Sequence, residues 1–64
     1  MERVKGEKCA KGWVVQCANG YYEWRRARRL ARERAKDLRA AYRCPVQVRR
    51  PNAYELKVGV PVEI

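Results

Sequence analysis

The chain contains no Ser, no Thr, no His and no Phe. Without Ser or Thr hydroxyls, and without an imidazole, the usual nucleophile–base pairs of hydrolytic enzymes cannot be assembled. A cysteine nucleophile would lack its customary His partner. No apolar run approaches the roughly 20 residues needed to cross a bilayer. The opening Met1-Glu2-Arg3-Val4-Lys5 is unlike a secretory leader, so the expectation is a soluble cytoplasmic protein, or one carried by something that replicates there.

Cysteine is present in an awkward number. Cys9, Cys17 and Cys44 are separated by 7 and 26 residues, which matches no CxxC pattern. A closed zinc site needs four ligands, and three Cys without His fall short, so neither a metal nor another cofactor is expected. Small buried apolar side chains are the plain use of these residues. A Cys17–Cys44 disulfide is left open, should two strands bring them together.

Carboxylates are also few. Against 16 Lys and Arg there are 7 Asp and Glu, giving +9 and a pI near 10.1. Such an excess attracts polyanions and makes the chain repel itself. Arg outnumbers Lys by 11 to 5, a bias that a GC-rich genome or a thermophilic source would both produce. With 64 residues the chain is expected to form one domain, 1–64, with a small core.

Residues 1–8 read as a loose, charged start or a frayed edge. Lys11 to Cys17 is rich in β-branched and aromatic residues and reads as a strand. Asn19-Gly20 is a strong hairpin signal, so Tyr21-Tyr22 begins either a brief returning strand or a helix. From about Trp24 to Arg43 the pattern is helical, with no internal Gly or Pro. Its core stripe would be Trp24, Ala27, Ala31, Ala35, Leu38 and Tyr42, with Leu30 and Ala41 beside it. Cys44-Pro45 ends it. Val46 to Arg49 alternates as a strand, Arg50 to Ala53 turns, and Tyr54 to Val62 alternates again. Pro61 then belongs at a strand end or edge.

The expected fold is therefore α+β, in the order β-α-β-β. One helix would pack on a mainly antiparallel sheet of three strands, or four with the short segment after Asn19-Gly20. The other face of the sheet would be open to solvent.

The first candidate site is a ridge of cations: Arg25, Arg29, Arg32, Lys36, Arg39 and Arg43. Spacings of three and four line them up within about 80° of a helix surface, away from Glu33 and Asp37. A face serving only solubility would mix signs, whereas a sorted ridge fits phosphates. The second choice is the open sheet face with Gln16, Gln47, Arg49, Arg50 and Lys57, because Arg and Gln read base edges. Aromatic residues offer a third set. Trp13, Trp24, Tyr42 and Tyr54 point coreward by parity, while Tyr21 or Tyr22 should be exposed at the turn. Glu33 and Asp37 form an i, i+4 carboxylate pair, better explained by pairing with neighbouring Arg and Lys than by catalysis.

The function these features favour is a non-catalytic, nucleic-acid-binding regulator or accessory factor, with duplex DNA ahead of RNA. The competing class is a small protein-binding inhibitor or adaptor, of the kind phage and mobile elements encode, docking on an acidic or nucleic-acid-binding surface. A homodimer burying a sheet face or edge is a third. Membrane binding is disfavoured, because the apolar side of the helix is mostly Ala.

Overall fold

The computed structural model describes residues 2–62. Eight elements follow one another: β1 (Glu2–Val4), α1 (Glu7–Ala10), β2 (Trp13–Cys17), β3 (Tyr22–Arg25), α2 (Arg28–Tyr42), β4 (Val46–Arg49), α3 (Ala53–Val58) and β5 (Val60–Val62). They make two antiparallel sheets, a three-stranded one in the order β3-β2-β4 and a two-stranded β1-β5 ribbon. The architecture is α+β, with α2 packed on one face of the larger sheet.

The hairpin forms where Asn19-Gly20 marks it. Asn19 Oδ1 accepts the Tyr21 N–H at 2.9 Å, and Gly20 takes φ 99°. The returning strand is the full β3 rather than a short stub, so α2 begins at Arg28 instead of near Trp24. Pairing of Trp13 to Gln16 with Arg25 to Tyr22 outweighs the helical propensity of that segment.

At the start of the described chain Glu2–Val4 form β1 and Glu7–Ala10 form α1, and Cys9 is fully buried. Met1 lies outside the described residues. The stretch from Tyr54 to Val62 is not one strand. Asn52 and Glu55 close a capping box, α3 follows, and Gly59 at φ 92° ends it before β5. Tyr54 is consequently 69% exposed rather than inward. Tyr42, at the last turn of α2, is 47% exposed. Tyr21 and Tyr22 are both half-buried, so neither is the exposed turn aromatic expected. Pro61 lies in β5, opposite Arg3 of β1.

The larger sheet is covered on both faces. Val15, Cys17 and Val46 pack under Ala31, Ala35 and Leu38 of α2. Small Ala side chains let the helix lie close to the strands. On the second face Val14 joins Cys9 and Val60, with Val4, Trp24 and Leu56 around them. The expected open face is thus the floor of a second small core. The two ends of the described residues meet there as β1 and β5.

Candidate nucleic-acid interface

Two buried glutamates divide the arginines into two groups. Glu23 on β3 is 0% exposed. It accepts from Tyr21 Oη at 2.7 Å and pairs with Arg34 Nε and with Arg25 Nη2 at 3.2 Å. Glu55 on α3 receives both Arg49 terminal nitrogens, at 2.6 and 2.9 Å. A buried carboxylate is tolerated only when paired and hydrogen-bonded, so these arginines are held in the scaffold. The pairing with Arg49 holds the Glu55 carboxyl below its ordinary range, against the opposing effect of burial.

Arg25 therefore leaves the predicted ridge: it lies on β3 and is tied to Glu23. Arg43 caps α2 in a left-handed conformation, φ 52°, with its side chain exposed. Arg29 is exposed on the outer side of α2. Arg32, Lys36 and Arg39 do come together, and Arg28 joins them. With Ala35 and Val48 they line a groove of about 380 Å³ between α2 and β4. Sequence reasoning missed Arg28 because it judged each residue against a ridge anchored on Arg25. A helix starting at Arg28 places Arg28, Arg32, Lys36 and Arg39 within about 80°.

Arg39 is fixed at one end of the groove, its Nη2 donating to the Val46 carbonyl at 2.8 Å. At the other end stands Trp13. The Arg28 guanidinium lies 5.3 Å from the ring centre and that of Arg50 4.0 Å from it. Arg50 also donates to the carbonyls of Gly12 and Ala10, at 3.0 and 3.4 Å. Among the described residues, no carboxylate pairs with Arg28, Arg32, Lys36, Arg39 or Arg50. Glu33 and Asp37 sit on the opposite flank of α2, in a cleft of about 390 Å³ with Trp24, Leu30, Val62 and the cations Arg25, Arg26 and Arg34. That cleft mixes signs; the groove beside β4 does not.

The second-choice set is dispersed. Gln16 Oε1 accepts from Arg49 Nη2 at 2.8 Å, so these two bond each other beneath α3. Lys57 lies on α3, not on a strand. Gln47 is exposed on β4, and Arg50 belongs with Trp13.

All three cysteines are free thiols. Burial pushes the Cys9 and Cys17 thiols up, and Cys44 beside Cys17 adds to the second shift. Both are thereby kept protonated and poorly nucleophilic. Among the described residues no three Cys, Asp or Glu side chains converge as metal ligands, and no helix is long and apolar enough to cross a membrane.

No family model, curated protein or solved structure matches the chain.

Proposed function

We propose that the protein is a non-catalytic nucleic-acid-binding protein that grips phosphates through Arg28, Arg32, Lys36 and Arg39. One observation carries this reading. The two buried carboxylates hold Arg25, Arg34 and Arg49 in the scaffold, and leave four cations side by side on the β4 flank of α2. From Arg28 to Arg39 the helix rises about 16 Å, so successive cations stand about 5.5 Å apart along its axis; a DNA strand carries one phosphate per about 3.4 Å of axis. The same length of strand therefore offers about five phosphates, enough for each of the four cations to meet one. Duplex DNA is favoured over duplex RNA because its major groove, about 12 Å wide, admits a helix, whereas that of A-form RNA is deep and narrow. With Gln16 and Arg49 bonded to each other, Gln47 is the glutamine left exposed, so the contacts mainly position the protein and confer little sequence preference.

Anisotropy titrations with duplex DNA, single-stranded DNA and duplex RNA test this. With four phosphate contacts, duplex DNA affinity is expected to fall about 100-fold between roughly 50 and 200 mM salt. Lys36→Glu is expected to weaken binding at least about tenfold, and Lys57→Glu, an equal change of net charge on α3, much less. Equal losses for the two variants would reduce the binding to net charge alone and refute the groove.

A second reading follows from a specific feature. β4 is an edge of the three-stranded sheet and borders the groove. An acidic partner protein could add a strand there and set carboxylates against the same cations. Tight binding to one protein that survives high salt, with no duplex binding, would favour it.

A further inference from the structure

Trp13 stands at one end of the cationic groove, and its two arginine neighbours are held differently. Arg50, 4.0 Å from the ring centre, is anchored by the carbonyls of Gly12 and Ala10. The Arg28 guanidinium, at 5.3 Å, makes no hydrogen bond or ion pair with any described residue. Trp13 itself is half-buried and packs at the margin of the first core. The chain's other tryptophan is committed to the scaffold: Trp24 Nε1 donates to the Cys9 carbonyl at 3.3 Å and its ring lies against Gly12.

Two guanidinium groups drawn to one ring repel each other, and no described carboxylate relieves them. A phosphate entering beside Trp13 would do so. A planar guanidinium over an indole also occupies the place a flat heteroaromatic base would take, since both stack on the π-face. Arg28 is the movable member, because nothing but the ring holds it.

We infer that Trp13, Arg28 and Arg50 form a stacking site for an unpaired nucleobase at the end of the phosphate-binding groove. The base displaces Arg28 from the indole, and the freed guanidinium meets the adjoining phosphate. Bases inside a duplex hide their faces, so the site engages only a single-stranded extension. The protein accordingly prefers a duplex with an overhang to the same duplex with blunt ends. This inference rests on the nucleic-acid reading above and adds the form of the nucleic acid.

The test compares a blunt DNA duplex with the same duplex carrying a short unpaired extension. The wild-type protein is expected to bind the overhang about 5- to 150-fold tighter, the range aromatic stacking of a base supplies. Trp13→Leu is expected to bring that ratio to about one, while Lys36→Glu weakens both duplexes and preserves the ratio. Trp13→Leu could also disturb folding, so emission is measured in Trp24→Phe, where Trp13 is the sole tryptophan. The overhang duplex should quench it and the blunt duplex should not. Equal affinities, no selective quench, or equal losses on both duplexes in a folded Trp13→Leu protein would each overturn the stacking site and leave the groove standing. Failure of both duplexes to bind would remove the groove, and this inference with it.

Discussion

Gly12 has an indole where a side chain would go. A Cβ placed there would meet Trp24 Nε1 at 1.8 Å, and the ring cannot retreat without giving up its bond to the Cys9 carbonyl. Gly12→Ala is therefore expected to destabilise the protein by about 2–3 kcal/mol, lowering Tm by roughly 10–20 °C in a thermal melt. Glu55 supplies a second test. Arg49 chiefly, and the Asn52 backbone after it, hold its carboxyl below the ordinary 4.5 despite burial. The unfolded chain then takes up the proton first as pH falls. The stability Glu55 contributes is complete above the ordinary carboxylate range and drains away as pH drops through the lower folded value. Glu55→Gln should flatten the acid limb of a Tm-against-pH curve below pH 4.5 and leave its neutral shape alone. An unchanged acid limb would mean another carboxylate dominates. None of these pairings was legible in the sequence: Glu23 and Glu55 look like any surface glutamates until the strands and α3 bury them.

Among the elements, α2 and α3 begin in opposite ways. The first turn of α3 is closed by Asn52 and Glu55. That of α2 has Ala27 at its cap, with no side-chain hydrogen bond and no acidic residue, and starts on Arg28 and Arg29. Cations at a helix N-terminus oppose the macrodipole. Ala27 already has extended geometry, φ −125° and ψ 145°, which suits a capping side chain. Ala27→Asp is expected to raise stability by about 1 kcal/mol in urea melts. It would also set a carboxylate beside Arg28 and weaken duplex binding about three- to tenfold. A gain in stability with no loss in binding would argue against Arg28 as a contact. Element boundaries show what local pattern can and cannot convey. The alternation of Tyr54, Leu56 and Val58 reads as a strand, but over so short a stretch alternation alone does not decide, and the capping box of Asn52 and Glu55 starts a helix that Gly59 ends. Trp24 and Arg25 fit the helical pattern but were drawn into β3 by pairing with β2.

For the whole molecule, the net charge of +9 opposes compaction. The pairs at Glu23 and Glu55 are buried and little screened, whereas the exposed cations are fully accessible to salt. Raising ionic strength from about 10 to 150 mM should therefore raise Tm by several degrees rather than lower it. A fall would show that surface ion pairs, not self-repulsion, govern the balance. The charge, the Asn19-Gly20 hairpin, the body of α2 and the strand β4 follow from local pattern, because each is written in neighbouring residues through propensity, turn chemistry or periodicity. The other features arise from contacts between distant segments. Glu2 pairs with Val62 from the far end of the described chain, α1 and α3 close the second face, and two buried carboxylates select which arginines remain available. Those outcomes depend on groups distant in sequence meeting under low dielectric, and a pattern of neighbours carries no record of such meetings.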